Sequence, residues 1–144
     1  MKLLITGSRN YKNADTLSEM IDQLTMLIQI ENIMDCTPTE ILHGGATGAD
    51  QLADNYAKKH GIKCTIIRPD YQRHHHKMAP LMRNTELVEK SEYTIALYGK
   101  GQDEKGGTAD TARKTKAARK HLLECYSDGT TKHTPPPAEQ GTLW

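Results

Sequence analysis

No run of uncharged apolar residues in this chain approaches the roughly 18 that a membrane-spanning helix needs. The apolar part of Met1–Gly7 is also too short for a secretory signal. A soluble, unexported, cytoplasmic protein with no membrane partner is therefore expected. Cysteine is scarce: Cys36, Cys64 and Cys125 are odd in number and lack Cys-x-x-Cys spacing, which argues against a disulfide framework and against a structural zinc site. Reduced thiols fit a cytosolic setting. Neither sign of charge dominates, with 19 basic and 18 acidic residues and a formal charge of +1. There is no overall field to steer the protein onto nucleic acid, so a nucleic-acid partner is disfavoured, whereas a small anion in a local site is compatible. A length of 144 residues fits one domain that buries about two-thirds of its unfolded surface.

What the chain does have is an ordered alternation of apolar runs, glycine turns and amphipathic segments. Leu3-Leu4-Ile5-Thr6 is a continuous apolar run ending at Gly7, as a strand buried on both faces requires. Gly7-Ser8-Arg9-Asn10-Tyr11 then carries a hydroxyl, a guanidinium and a ring to the strand's carboxyl end. Asp15-Thr16 is the expected cap of a helix with Leu17, Met20, Ile21, Leu24, Leu27 and Ile28 on one stripe. Residues 31–39 read as a loop leading to the strand Glu40-Ile41-Leu42.

His43-Gly44-Gly45-Ala46-Thr47-Gly48-Ala49-Asp50 follows. Three glycines in five residues allow positive φ and remove the Cβ atoms that would hold a ligand away, so successive N–H groups can converge. The helix that starts near Gly48 adds unpaired amides and the positive end of its dipole, a setting that suits phosphate. The plain alternative is a tight strand-to-helix turn with no ligand. The helix buries Ala49, Leu52, Ala53, Tyr56 and Ala57 and stops at Gly61.

Lys63–Ile67 reads as a third strand, broken at Pro69. His74-His75-His76 sits in a cationic loop without helical His-x-x-x-His spacing, so a polar loop near a ligand anion is favoured over a metal site. A helix from Pro80 to Lys90 is expected to bury Leu81, Met82, Thr85 and Val88, and Tyr93–Tyr98 is β in composition. Gly99–Thr108 is a second glycine-rich loop, with Thr108 as the expected N-cap of a helix carrying five basic side chains from Arg113 to Lys120. That basic run fits a solvated face better than a nucleic-acid surface. Leu122–Tyr126 reads as a fifth strand, and residues 127–144 as an extended or disordered polar tail.

Strands alternating with helices at this spacing predict an α/β fold: a Rossmann-like open parallel sheet of order 3-2-1-4-5 with helices on both faces, in one domain over residues 1–126. Ligands of such sheets sit beyond the carboxyl ends of the strands where the winding reverses, here between the first and fourth. Gly7–Tyr11, Gly44–Asp50 and Gly99–Thr108 all lie at that end.

Ile5-Thr6-Gly7-Ser8-Arg9, His43–Asp50, Arg83-Asn84 and Gly107-Thr108 together give the chain a likeness in order and spacing over residues 1–126. On these residues it resembles the SLOG superfamily, named for its SMF/DprA and LOG members, and in particular the small YspA-like branch common in bacteria and phages. The resemblance implies a Rossmann-like nucleotide-binding domain, often dimeric or higher. Its relatives hydrolyse N-glycosidic bonds of nucleotides or bind nucleotide-derived ligands and DNA. LOG phosphoribohydrolases share a Pro-Gly-Gly-x-Gly-Thr-x-x-Glu motif whose glutamate serves catalysis. Here Gly106-Gly107-Thr108-Ala109-Asp110-Thr111 lacks the proline, and Thr111 stands where the acid would.

Cleavage of a nucleoside bond wants a carboxylate to steady the sugar cation or activate water, and Asp50 and Asp110 are the nearest substitutes. Each has a plain alternative in balancing a helix dipole. The expected function is binding of a small nucleotide-type ligand, a nucleoside phosphate or ADP-ribose-like molecule. A nucleotide N-glycosidase or deoxyribosyltransferase is the alternative, and a DNA- or RNA-binding module the second. Gly7, Ser8, Arg9, Gly44, Gly45, Thr47, Gly48, Arg83, Asn84, Gly107 and Thr108 are the candidate ligand contacts, with phosphate on the amides of residues 45–48 and Arg9 and Arg83 as counter-charges. No cofactor or metal is expected. Met78, Leu81 and Met82 in a polar setting suggest a contact between copies in a homo-oligomer.

Overall fold

The computed structural model describes residues 1–32 and 37–137. The middle of the loop expected at 31–39, with Cys36, and residues 138–144 of the expected tail lie outside the described residues.

β1 (Lys2–Gly7) is the centre of the sheet. Leu3, Leu4 and Ile5 are fully buried, and their alternation sends Leu3 and Ile5 into the core on one face and Leu4 into the core on the other. β2 (Glu40–His43) and β4 (Tyr93–Leu97) pair with it in parallel. β3 (Lys63–Ile66) and β5 (His121–Cys125) extend the sheet outward, again in parallel. The order β3-β2-β1-β4-β5 is the one the alternation of strands and helices predicts, and β6 (Thr131–Thr134) is added antiparallel to β5. β6 falls in the stretch expected to be an extended or disordered tail. The turn at Gly129, with φ of 88°, folds the chain back so that β5 is not the sheet edge.

α1 (Ala14–Asn32) and α2 (Ala49–His60) cover the Leu3 face, where Leu17, Ile21, Leu24, Ala53 and Ala57 meet the strands. α3 (Ala79–Lys90) and α4 (Gly106–Ala117) cover the other face through Leu87, Val88 and Ala112. Gly61 ends α2 in the left-handed conformation, its N–H on the carbonyls of Ala57 and Lys58. No helix among the described residues is long and apolar enough to cross a membrane.

Three local expectations are corrected. Asn13 caps α1: its Oδ1 accepts from the Thr16 N–H at 3.1 Å, two residues before the Asp15-Thr16 pair. α4 begins at Gly106, so Thr108 lies inside the first turn, buried, and no side chain caps the helix. α3 is rotated from its expected orientation, burying Ala79, Asn84, Leu87 and Val88 and leaving Leu81 and Met82 37% and 41% exposed. Asn84 is anchored on that buried face by hydrogen bonds to Asp110 and Arg83, beside the packing of Leu87 and Val88 on Leu4 and Leu42.

Candidate functional site

A cleft of about 600 Å³ opens beyond the carboxyl ends of β1, β2 and β4. Its walls are the β1–α1 loop from Gly7 to Asn10, the turn after β2 at Gly44 and Ala46 with Asp50, the start of α3, and the segment Gln102–Thr108. Of the residues singled out from the sequence, Gly7, Ser8, Arg9, Gly44, Asp50, Arg83, Asn84, Gly107 and Thr108 line it. Gly45, Thr47, Gly48 and Asp110 do not.

The β1–α1 loop is fixed by backbone contacts that only glycine permits. A Cβ on Gly7 would overlap the Ala49 Cβ and the Leu97 carbonyl. Ser8 is buried, and it ties three segments together. Its N–H donates to the Leu97 carbonyl at 3.0 Å, its carbonyl accepts from the Ala49 N–H at 3.2 Å, and its Oγ accepts from the Gly99 N–H at 2.9 Å. Gly48, with φ of 74°, sits where a Cβ would strike the carbonyls of Ser8 and Arg9. Gly48 thus shapes the site by letting two loops touch, and Thr47 is exposed outside the cleft.

Two of the turn's amides point to the protein's own acceptors. The Gly45 N–H donates to His43 Nδ1 at 3.0 Å and the Ala46 N–H to Asp50 Oδ2 at 3.1 Å. An anion on those amides would have to displace a side chain already there. Asp50 is 7% exposed, and burial pushes its carboxyl above the ordinary carboxylate range, opposed by the Ala46 amide and by the neighbouring His43 and Arg83 side chains. Arg83 leans against the same turn, its Nη1 donating to the Gly44 carbonyl at 2.8 Å. A Cβ on Gly44 would overlap that guanidinium.

Behind Arg83 runs a polar chain that joins α3 to α4. Arg83 Nε donates to Asn84 Oδ1 at 2.9 Å, and Asn84 Nδ2 donates to Asp110 Oδ2 at 3.1 Å. Asp110 is held in turn by Lys114 at 2.8 Å and Arg113 at 3.7 Å. Its carboxylate is neutralised away from the cleft, so it positions Asn84. Thr111 donates to the Gly107 carbonyl at 3.0 Å and is buried; it brings no acid to the site.

Asn10, Lys77, Gln102, Lys105 and Gly106 also line the cleft; the sequence reading brought their loops to the site without singling out these side chains as contacts. Lys105 and Gly106 carried a usable signal, since they lie where the glycine-rich loop leads into α4. Asn10, Lys77 and Gln102 carried none, because loop side chains are aimed by tertiary contacts.

His43 Nε2, Asp54 Oδ1 and Cys64 Sγ lie within 4.8 Å of one another, a donor set that a thiophilic cation could use. The hydrogen bonds favour a relay instead. Because His43 Nδ1 accepts the Gly45 N–H, Nε2 carries the proton and donates to Asp54 at 3.0 Å. A metal-bound imidazole normally donates from its second nitrogen, and here that nitrogen faces a donor. Lys58 and His43 hold the Asp54 carboxyl down at about 2, while burial and Asp54 push the Cys64 thiol up to about 11.

Residues 1–74 match the family described as YspA, cpYpsA-related SLOG family, a span that holds the Gly7–Arg9 loop and the His43–Asp50 turn but not Arg83 or α4. Gene 61 protein of Mycobacterium phage D29 is 33% identical over 94 residues, covering 60% of this chain and 67% of that protein. No solved structure matches the chain.

Proposed function

The chain belongs to the YspA, cpYpsA-related SLOG family, and from that premise we propose that it binds a nucleotide or nucleotide-derived ligand, a nucleoside phosphate or ADP-ribose-like molecule, in the cleft beyond β1 and β4. The observation that carries this reading is the charge of the cleft: Arg9, Lys77, Arg83 and Lys105 line it against one carboxylate, Asp50. The phosphate goes to the first turn of α4. That turn has no acid and no side-chain cap, so its amides at Gly106, Gly107 and Thr108 are free to meet an anion. Arg83 and Arg9 supply the counter-charge, and Asp50 accepts from a sugar hydroxyl. Gly45 and Gly48 act through the shape of the turn.

Gly107 offers a clean test, because a Cβ there meets only Asn84 Nδ2 at 3.8 Å. Gly107→Val therefore keeps the fold while covering the amides. Calorimetry with nucleoside monophosphates should show binding by the wild type that is lost in Gly107→Val and in Arg83→Ala; unchanged affinity in both ends the assignment.

A second reading, an N-glycosidase or deoxyribosyltransferase, is favoured by the buried Asp50 alone. A carboxyl whose pKa is raised by burial is better suited to act as a general acid, a role worth about a hundred- to ten-thousand-fold in rate. Free base or ribose phosphate released from a nucleotide panel in proportion to protein, and absent with Asp50→Asn, would establish turnover. The nucleic-acid reading weakens because two of the five basic side chains from Arg113 to Lys120 are engaged within the molecule. Lys114 holds Asp110 and the Leu81 carbonyl, and Lys120 caps α3 through the carbonyls of Val88 and Ser91 at 2.6 Å each.

A further inference from the structure

We propose that the base of the ligand is read outside this cleft, in a second one of about 610 Å³ on the other side of Asn10. The proposal rests on the nucleotide reading and names the part of the molecule that the first cleft leaves unrecognised. Four cationic side chains line the first cleft, and no aromatic ring does among the described residues. The chain has six tyrosines and no phenylalanine, and three of those tyrosines, Tyr11, Tyr98 and Tyr126, line the second cleft. Of these two neighbouring spaces, the tyrosine rings line the second alone, and four cations line the first. Phosphate needs the first, and a planar heteroaromatic base needs the second.

The aromatic wall is built in advance. Tyr98 is 1% exposed and forms the floor; its hydroxyl donates to Glu124 Oε2 at 2.8 Å. Tyr126 stacks on it with ring centres 5.4 Å apart and planes 14° from parallel. A ring held this way loses little freedom when a base packs against it. Tyr11, half-buried, comes to the same cleft from the β1–α1 loop. Lys12 and Lys100 stand at the rim, beside one acid, Asp15.

Asn10 alone lines both clefts. It stands over Gly99, where a Cβ would overlap its Oδ1, and its Nδ2 donates to the Lys100 carbonyl at 3.2 Å. That ridge follows the carboxyl ends of β1 and β4, the point where the winding reverses, so a ligand crossing it would span the switch point. The sugar crosses at Asn10, the phosphate lies towards α4, and the base lies against Tyr126.

Calorimetry of the full chain with nucleoside monophosphates and with ribose 5-phosphate separates the two claims. The nucleotides should bind more tightly than ribose 5-phosphate. Tyr126→Leu and Tyr11→Leu should each weaken the nucleotides roughly ten-fold, by loss of one stacking surface, and leave ribose 5-phosphate unchanged. Tyr126→Phe, which keeps the ring, should retain the affinity and control for misfolding. Equal affinity of nucleotide and ribose 5-phosphate, or tyrosine variants without effect, overturns the base subsite while the phosphate site stands. Failure of both ligands to bind overturns the nucleotide reading and this proposal together.

Discussion

Asp50 shows how a single buried residue that lines the cleft can cost the fold stability. Its carboxyl takes the Ala46 amide and lies near Arg83, yet burial dominates and raises its pKa above the ordinary value. For an acid raised in the folded state, the native protein binds more protons than the unfolded one between the two pKa values. Stability is then full below the unfolded pKa and falls as pH rises through the folded one. Asp50→Asn, which can still accept from Ala46, should therefore be more stable than wild type at neutral pH, with the difference vanishing at acid pH. Urea unfolding at both pH values checks this, and an equal difference at the two would refute it. Asp54 works in the opposite sense. Lys58 and His43 hold it at about 2, so its contribution is present above the ordinary carboxylate range and is lost as pH falls towards 2. The acid limb of the stability curve should flatten in Asp54→Asn.

Between elements, the site depends on how closely loops approach and on how α3 is pinned to α4. Gly7→Ala puts a methyl against Ala49 and the Leu97 carbonyl, and overpacking of that kind costs about 1–3 kcal/mol. Denaturant titration should show this loss together with weaker ligand binding, since the same loop carries Ser8 and Arg9. The Asp110 carboxylate joins Lys114 to Asn84 and, through it, to Arg83. Asp110→Ala should leave the strands in place and loosen Arg83. Nucleotide affinity is then expected to fall with only a small change in melting temperature, whereas unchanged affinity would show that Arg83 holds its place through the Gly44 carbonyl alone. At the sheet edge, β6 covers β5, and chains truncated before Thr131 should aggregate through the strand so exposed. Light scattering over time reads that outcome directly.

For the whole molecule, Met78 at 49% exposure stands with Leu81 and Met82 at the mouth of α3, an apolar group that a second copy would cover. A solution mass at a multiple of 16.1 kDa is expected, and a monomer at micromolar concentration would count against it. The sequence by itself determined the sheet order and the family likeness, because both rest on local facts. A run such as Leu3-Leu4-Ile5 must be buried on both faces, the spacing of Ala49, Ala53 and Ala57 must face a sheet, and Gly61 must end a helix. The chirality of crossovers leaves few ways to wind such elements. Local chemistry did not fix which way α3 turns, that α4 starts at Gly106, or that residues 131–134 form a strand. Val88 is buried as expected, but Leu81 and Met82 fit a buried stripe as well as Leu87 does, and the packing of Leu87 against Leu4 and Leu42 with the anchoring of Asn84 to Asp110 decides between them. Nor could the amides of the His43–Asp50 turn be aimed from sequence, since glycines permit many directions and the acceptors decide. Contacts such as Gly99 to Ser8, 91 residues apart, and Arg83 to Gly44, 39 apart, exist only once the strands are side by side. Tertiary structure alone therefore set where the clefts lie and which charges face them, because those depend on side chains that meet from distant parts of the chain.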